Sequence, residues 1–246
     1  MQALILAGGR GTRLQPYTTV LPKPLMPVGD YPILEIILRQ LSYAGVKKVI
    51  LAVGYLGHLF QTVFSDGNRY GLEITYSLEE RTLGTAGPIS LAMDRLDDDF
   101  LIMNGDLLTT LNYKALFSYH QQMQAAATIT LFRRNLQIDF GVIETNHENK
   151  LARYEEKPAI HLDVSAGINV MNKKIVSRYV KPAEPLDIPE LMNRLVQDGH
   201  PVFCYREECR WLDIGHVEDY RAANELFESN KNEFLPQTAF EDQNSE

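Results

Sequence analysis

A glycine-rich segment near the N-terminus could bind phosphate groups. It spans residues 8–14, reads GGRGTRL and follows an apolar run. Glycines allow the backbone to approach a phosphate and to direct several N–H groups at it, and Arg13 adds a guanidinium that can bind phosphate with two hydrogen bonds. The spacing matches neither a Walker A loop nor a dinucleotide-binding fingerprint. A tight turn between a strand and a helix also needs glycine, so both interpretations stay open here.

A lysine between two prolines is a second candidate for phosphate chemistry. Lys23 lies in LPKPLMPV, residues 21–28. Pro22 and Pro24 predict an extended backbone at Lys23, which would point one cation in a fixed direction. The alternative is a rigid surface loop with a solvated lysine, which is the commoner fate of this residue type.

Two aspartates could ligate a metal ion. Asp106 ends the tripeptide NGD after a strongly apolar segment, and Asp213 lies in WLDIG, residues 211–215. Together they could hold one Mg²⁺, which usually takes one or two carboxylates and completes its shell with phosphate oxygens and water. Each aspartate alone could instead be a turn residue or a helix cap.

Alternating strand and helix patterns in the first hundred residues must position these groups. The predicted strands are residues 3–7, 48–53, 72–76 and 100–103. The predicted helices are residues 32–43, 56–64 and 89–96. Repeated βα units of this kind predict a Rossmann-like three-layer sandwich with a mostly parallel central sheet. Ligands of such sheets bind beyond the carboxyl ends of the strands, where the candidate loops are expected.

The second half of the chain has a different pattern. Short strands are predicted at residues 126–132, 141–145, 151–155, 166–171 and 202–205. Helices are predicted at residues 187–195 and 216–227. Few helices separate these strands, which predicts a mixed sheet with a smaller antiparallel extension. From Ser229 the sequence is polar and without pattern, so we expect one domain over residues 1–228 and a mobile tail over residues 229–246.

Composition excludes several classes of partner. The net charge is −8 and no run of Lys and Arg exceeds two residues, which argues against a nucleic-acid or membrane surface. No apolar run is long enough to span a bilayer. Cys204 and Cys209 make no disulfide framework and no C-x-x-C pair, and the N-terminus has no signal-peptide pattern, so we expect a cytoplasmic protein. A homo-oligomer stays open.

Seven segments resemble, in order and spacing, the sugar-1-phosphate nucleotidyltransferase family. They are LILAGGRGTRLQPYT, LPKPLMPV, LGTAGP, NGD, EEKP, SAGINV and WLDIG. Together they extend from about residue 2 to residue 227, nearly the whole chain. The LGTAGP segment and the residues that flank it are most similar to mannose-1-phosphate guanylyltransferases and related bacterial enzymes. The resemblance implies an enzyme whose catalytic domain is residues 1–228 and which uses Mg²⁺ to convert an NTP and a sugar 1-phosphate to an NDP-sugar and pyrophosphate.

The resemblance also implies roles for individual residues. The nucleotide-binding residues would be Leu6, Ala7, Gly8, Gly9, Gly11, Thr12, Arg13, Glu79, Gly84 and Thr85. The residues that bind the sugar 1-phosphate would be Asn104, Gly141, Glu156, Lys157, Gly167, Asn169 and Trp211. Arg13, Lys23 and Lys157 would be catalytic by neutralising phosphate charge, and Asp106 and Asp213 would hold the Mg²⁺.

This reaction needs no general base. The nucleophile is a phosphate oxygen that is already ionised at neutral pH, so positioning and charge neutralisation suffice for a single in-line displacement at the α-phosphorus. The sequence agrees, because it contains no nucleophile-elbow serine and no histidine cluster with zinc spacing. The histidines are expected to be surface or packing residues.

The sequence allows other substrates and other classes of protein. Glu79 and Glu80 precede LGTAGP and could accept hydrogen bonds from guanine, which favours GTP, but a solvated loop explains them equally well. Uridylyl, thymidylyl or cytidylyl transfer to glucose, amino-sugar or heptose 1-phosphates is the alternative within the family. A non-catalytic nucleotide-sensing subunit should have lost some of the charged site residues, and a glycosyltransferase that consumes NDP-sugars would favour an Asp-x-Asp motif.

Overall fold

The computed structural model of the protein describes residues 1–182 and 184–235. The strands are β1 Gln2–Ala7, β2 Pro27–Val28, β3 Tyr31–Pro32, β4 Lys48–Val53, β5 Glu73–Leu78, β6 Asp99–Asn104, β7 Leu107–Thr109, β8 Ala127–Gln137, β9 Val142–Thr145, β10 Leu151–Glu155, β11 Ala159–Asn172, β12 Val202–Arg206 and β13 Trp211–Asp213. The α-helices are α1 Ile33–Tyr43, α2 Gly57–Phe64, α3 Pro88–Ala92, α4 Tyr113–Gln122, α5 Lys173–Val176, α6 Ile188–Gln197, α7 Val217–Ser229 and α8 Lys231–Phe234. Short 3₁₀ turns are Thr12–Leu14, Tyr17–Thr19, Lys23–Leu25, Asn68–Tyr70 and Met93–Arg95.

The central sheet has seven strands in the order β12-β8-β11-β6-β1-β4-β5. Four of its pairings are parallel, namely β1 with β4, β1 with β6, β4 with β5, and β8 with β12. Strand β11 runs antiparallel to both of its neighbours, β6 and β8. The prediction of a mostly parallel, mixed sheet is confirmed.

Alternate residues of the central strands pack into separate cores on the two faces of the sheet. Ala3 and Ile5 of β1 belong to the core that contains residues of α1, α2, α4 and α7. Leu4 belongs to the core that contains residues of α3 and α6. A strand that is buried on both faces reads as a continuous apolar run, which is why β1 was recognisable from sequence. Helices on both faces confirm the predicted three layers.

Helix α4 was not predicted, although its sequence carries the necessary signals. The side chain of Asn112 caps it by accepting the N–H of Ala115 at 3.0 Å. Tyr113, Leu116 and Phe117 are buried along one side of this helix. This short helical pattern lies between two segments with strand patterns, which obscures it in the sequence.

The chain from Ser229 to Leu235 packs on the domain, so the predicted mobile tail over residues 229–246 is wrong as far as Leu235. Helix α8 follows α7, and the fully buried ring of Phe234 has its centroid 6.0 Å from that of Phe227. Gln40 Nε2 donates to the carbonyl of Phe234 at 2.9 Å. Two adjacent apolar residues within a polar segment were enough to anchor it, and the domain therefore extends past residue 228. Residues 236–246 lie outside the described residues.

An antiparallel arm extends from one end of the sheet. It comprises the distal halves of β8 and β11, which pair with each other, and the hairpin β9–β10. None of its residues between 131 and 165 is buried. This arm is the antiparallel extension that the sequence predicted. In the part of the chain that the structure describes, no helix has both the length and the apolar character to cross a membrane.

Candidate functional site

A cleft of about 900 Å³ opens where β1, β4, β5 and β6 end. Its lining includes all ten residues predicted to bind the nucleotide, Leu6, Ala7, Gly8, Gly9, Gly11, Thr12, Arg13, Glu79, Gly84 and Thr85. Lys23, Asn104 and Asp106 also line it. These residues come from segments far apart in sequence, so the strand ends bring them together as open α/β sheets generally do.

The structure gives different reasons for the glycines at positions 9 and 11 of the N-terminal loop. Gly11 has a φ of +59°, and a Cβ there would lie 2.9 Å from Thr18 Cγ2, so a tight turn requires this glycine. The hydroxyl of Thr18 closes the turn by donating to the Gly11 carbonyl at 2.7 Å. A Cβ on Gly9 would meet nothing within 4 Å. Packing therefore explains Gly11 but leaves Gly9 open to the cleft.

Lys23 is a buried cation at the end of the cleft. Its side chain is 8% exposed, and Nζ lies 2.5 Å from Asp106 Oδ2 and 3.6 Å from Asp213 Oδ1. The interpretation of Lys23 as a solvated surface lysine is therefore wrong. The predicted extended backbone is also wrong, because Lys23 opens a 3₁₀ turn in which Leu25 N–H donates to the Pro22 carbonyl at 2.8 Å. Proline fixes its own φ but only restricts its neighbour.

Two short strands bring Asp106 and Asp213 side by side. Strand β13 pairs antiparallel with β7, and Asp213 is the register partner of Leu107. The N–H of Ile214 also donates to the Asp106 carbonyl, at 3.4 Å. Asp106 lies in the turn between β6 and β7, so both carboxylates reach the same ammonium group.

The charges around Asp213 perturb its titration. Burial raises the pKa of the Asp213 carboxyl above its ordinary value, and the nearby charge of Asp106 raises it further. Lys23 and Arg13 act in the opposite direction. Arg13 lies against the turn that follows β13, because a Cβ on Gly215 would be 3.5 Å from its Nη1. The four charged side chains therefore form one cluster of two carboxylates and two cations.

The two carboxylates fit a hard divalent cation. Carboxylate oxygens are the ligands that Mg²⁺ prefers, and the ammonium of Lys23 already occupies a position that attracts positive charge. Among residues 1–182 and 184–235, no group of three His, Cys, Asp or Glu side chains is arranged to hold a metal. An ion at Asp106 and Asp213 would therefore take its remaining ligands from water or from phosphate oxygens.

Of the residues predicted for the sugar phosphate, Asn104 lines the cleft, Gly167 lies against Asn104, and Asn169 is buried on the same strand as Gly167. Gly167 has a φ of +70° within an irregularity of β11, and a Cβ there would lie 2.8 Å from Asn104 Nδ2. Asn169 is 1% exposed, and neither its Oδ1 nor its Nδ2 has a hydrogen-bond partner in the described part of the chain. A buried amide without partners costs about 1–3 kcal/mol, which is unusual for a packing residue.

Gly141, Glu156 and Lys157 belong to the arm and do not line the described cleft. Gly141 lies against Glu156, since a Cβ there would be 3.0 Å from Glu156 Oε2. Lys157 has a φ of +48° and its carbonyl accepts from Gln137 Nε2 at 2.6 Å. The structure thus brings Gly141 and Glu156 to each other but gives Lys157 no contact with the charged cluster.

Trp211 has clear structural contacts. Its indole N–H donates to the Ala166 carbonyl at 2.8 Å, and its ring centroid is 4.9 Å from that of Phe132. These contacts connect β13, which carries Asp213, to the irregular part of β11. Trp211 does not line the described cleft.

Arg10 and Tyr55 are among the residues that line the cleft but were not assigned from sequence. The guanidinium of Arg10 lies 5.7 Å from the ring centroid of Tyr55, whose hydroxyl donates to the Thr19 carbonyl at 2.7 Å. Both could have been found, because Arg10 lies within the glycine-rich loop and Tyr55 follows the carboxyl end of β4.

At the other end of the cleft, Glu79 is partly withdrawn from water. Burial raises the pKa of its carboxyl, and a hydrogen bond from the Leu83 N–H opposes this shift. A Cβ on Gly8 would lie 3.6 Å from Glu79 Oε1. The Glu79 carboxylate therefore lies against Gly8 of the glycine-rich loop.

Comparisons with known proteins show the family and the fold of the chain. The family model described as nucleotidyl transferase matches residues 2–230. A UTP–glucose-1-phosphate uridylyltransferase of Synechocystis is 30% identical over 89% of this chain, and a mannose-1-phosphate guanylyltransferase of Mycobacterium tuberculosis is 32% identical over 89%. The chain spans 61% and 62% of the lengths of these two relatives. The structure of HddC from Yersinia pseudotuberculosis complexed with GMP-PN has the same fold, with a TM-score of 0.71 and 24% identity over 92% of this chain and 99% of that one. The chain belongs to the nucleotidyl transferase family.

Proposed function

We propose that the protein transfers a nucleotidyl group from a nucleoside triphosphate to a sugar 1-phosphate and releases pyrophosphate. The observation that carries this proposal is the convergence of Lys23, Asp106 and Asp213 at the end of a glycine-lined cleft. A reaction between phosphate groups needs cations and a metal site rather than a nucleophilic side chain. The family match supports the reaction class.

In this proposal the triphosphate binds along the glycine-rich loop. The open space at Gly9 allows backbone N–H groups to approach phosphate oxygens closely. Arg13 binds the departing β- and γ-phosphates, and Lys23 neutralises charge at the α-phosphate. Both cations lie beside the two carboxylates, which supports these positions.

The sugar 1-phosphate is proposed to bind near Asn104, Gly167 and Asn169. The unpartnered amide of Asn169 supports a ligand here, because sugar hydroxyls both donate and accept hydrogen bonds. The roles proposed for Gly141, Glu156 and Lys157, in binding the sugar and its phosphate, rest on the family resemblance. Trp211 is proposed to line the sugar site as well as to connect β13 to β11.

The chemistry is a single displacement at the α-phosphorus. An ionised oxygen of the sugar 1-phosphate forms the new P–O bond as the bond to the β-phosphate breaks, and pyrophosphate leaves. Asp106 and Asp213 would hold Mg²⁺, which supplies neutralisation of the phosphate charge when it is bound. Lys23 and Lys157 offset the repulsion between the reactants, which is about 4 kcal/mol for two unit charges about 4 Å apart at an effective dielectric near 20.

We propose GTP and mannose 1-phosphate as the substrates. The carboxylate of Glu79 in the cleft suits the N1–H and N2–H₂ donors of guanine. The Mycobacterium tuberculosis relative of that name, 32% identical, supports this choice. UTP and glucose 1-phosphate are the second candidate pair, because the Synechocystis relative carries that name at 30% identity.

We also propose that the protein is cytoplasmic and that its partners are small molecules. Cys204 and Cys209 are free thiols, which supports a reducing cytoplasm. The net charge of −8 supports small-molecule substrates rather than nucleic acid or an anionic membrane. The mass of the particle in solution would show whether the protein forms a homo-oligomer.

The test is a matrix of ATP, GTP, CTP, UTP and dTTP against glucose, mannose, glucosamine and heptose 1-phosphates, read by pyrophosphate release with Mg²⁺. We expect one pair, GTP with mannose 1-phosphate, to exceed the others. The Asp106→Asn variant serves as the control for contaminating activity. Absence of pyrophosphate release from every pair would overturn the proposed function, and a different leading pair would overturn only the substrate choice.

A further inference from the structure

We infer that Asp187 is a positioning residue for the loop of residues 83–88, which carries Gly84 and Thr85 into the cleft. Asp187 lies in the turn before α6, about a hundred residues away in sequence. The inference rests on the proposed function, because that function assigns nucleotide binding to this loop.

The carboxylate of Asp187 holds the centre of the loop with two hydrogen bonds. Its Oδ1 accepts the N–H of Thr85 at 2.9 Å and the hydroxyl of Thr85 at 3.2 Å. The same hydroxyl accepts the N–H of Ile188 at 2.8 Å. Thr85 is thus fixed by both its backbone and its side chain.

Asp187 does this at the expense of its own helix. It is the N-cap residue of α6, where an aspartate normally accepts an N–H from the first turn of the helix. Its side chain makes no such capping hydrogen bond. The capping position is therefore occupied by a residue whose hydrogen bonds serve another segment.

The backbone beside Asp187 fits the loop equally closely. The Leu186 carbonyl accepts from Ala86 N–H at 2.8 Å and from Gly87 N–H at 3.0 Å, and Leu186 N–H donates to the Leu83 carbonyl at 2.9 Å. Gly84 has a φ of +75°, and a Cβ there would lie 2.6 Å from the Leu186 carbonyl oxygen. Gly84 is therefore required by this contact, whatever it binds in the cleft.

The consequence is a separation between nucleotide binding and chemistry. Without the Asp187 carboxylate, Thr85 loses two hydrogen bonds and the loop samples other conformations, so the nucleotide must order the loop as it binds. Lys23, Asp106 and Asp213 lie on other elements and keep their arrangement. Loss of Asp187 thus raises KM for the triphosphate and leaves kcat and the KM for the sugar 1-phosphate unchanged.

The test compares Asp187→Ala, Asp187→Asn and the wild-type protein by steady-state kinetics with both substrates varied. We expect Asp187→Ala to raise KM for the triphosphate about tenfold, the effect of losing hydrogen bonds to a charged group. Asp187→Asn keeps an Oδ1 acceptor and restores most of the loss. The matched control is Glu190→Ala, which removes a carboxylate from the first turn of the same helix that pairs with Arg194 and not with the loop.

The coupling to Thr85 provides a second measurement. Thr85→Val removes the hydroxyl that joins Asp187 to Ile188. The KM for the triphosphate of the double variant, Asp187→Ala with Thr85→Val, should not exceed the higher of the two single-variant values. An unchanged KM for the triphosphate in Asp187→Ala, or an equal change in Glu190→Ala, overturns the inference.

Measurements on the wild-type protein distinguish failure of the proposed function from failure of the inference about Asp187. If the wild type releases no pyrophosphate with any substrate pair, the inference is tested by calorimetric titration with GTP and UTP. A tenfold weaker Kd in Asp187→Ala then supports the positioning role, and equal affinities or no binding by the wild type overturn it. Melting temperatures establish that each variant is folded.

Discussion

Replacing Lys23 with methionine is expected to make the stability of the fold depend on magnesium. The ammonium lies 2.5 Å from Asp106 Oδ2 and 3.6 Å from Asp213 Oδ1. At an effective dielectric of about 20 these attractions correspond to about 7 and about 5 kcal/mol before desolvation is counted. Desolvation and the 44% exposure of the Asp213 side chain reduce the net loss of stability to about 2–3 kcal/mol.

Magnesium should restore part of that loss. Without Lys23 the two carboxylates repel each other, so an ion that binds both stabilises the native state by mass action, by about 2.7 kcal/mol at a hundredfold excess over Kd. Urea unfolding with and without Mg²⁺ measures this difference. Lys173→Met is the matched control, because its ammonium donates to the Leu96 carbonyl at 2.7 Å and does not line the cleft.

The Lys23→Met variant is also expected to lose nucleotidyl transfer activity. Removing a cation that is proposed to stabilise developing phosphate charge should lower kcat by about 10²–10³. Pyrophosphate release measures it, and Lys173→Met should keep the wild-type rate. A Lys23→Met rate within tenfold of wild type, or a stability loss that is identical with and without Mg²⁺, would overturn the role proposed for Lys23.

Three further predictions follow from the site and the core. Asp106→Asn and Asp213→Asn should each lower kcat at least about a hundredfold with an unchanged circular dichroism spectrum, and near-normal rates would contradict the metal assignment. Burial lowers the pKa of His120 below 6.5, so the unfolded chain takes up this proton first as the pH falls. The free energy of unfolding should therefore decrease from pH 6.5 downward, and His120→Gln should reduce that slope by at most about 1.4 kcal/mol per pH unit, measured with urea at pH 7 and pH 5. Phe234→Ala should cost about 3–5 kcal/mol in the same assay, whereas a loss below about 1 kcal/mol would mean that α8 adds little to the core.

Strong periodic patterns predicted the central elements well. The bounds of β4 were predicted to the residue, and α1 was predicted within one residue of its start. Ile33, Ile36 and Ile37 are buried in α1, as their helical spacing requires. Since parallel strands place their carboxyl ends at one edge, the order of these elements was sufficient to predict where the cleft lies.

Contacts between distant segments could not be predicted in the same way. Strands β7 and β13 have three residues each, too short to show a period, yet their register brings Asp106 and Asp213 together. The buried position of Lys23 likewise depends on carboxylates from two other segments. The resemblance to a family assigned these residues to one site, whereas the local sequence patterns could not show that they lie together.

The metal binding proposed for Asp106 and Asp213 can be measured directly. Mn²⁺ is titrated into the wild-type protein, Asp106→Asn and Asp213→Asn with a non-hydrolysable GTP analogue present, and free Mn²⁺ is followed by electron paramagnetic resonance. We expect one Mn²⁺ bound per wild-type chain and an affinity at least about tenfold weaker in each variant, because each loses one of two carboxylate ligands. Wild-type affinity in both variants would contradict the proposed metal binding.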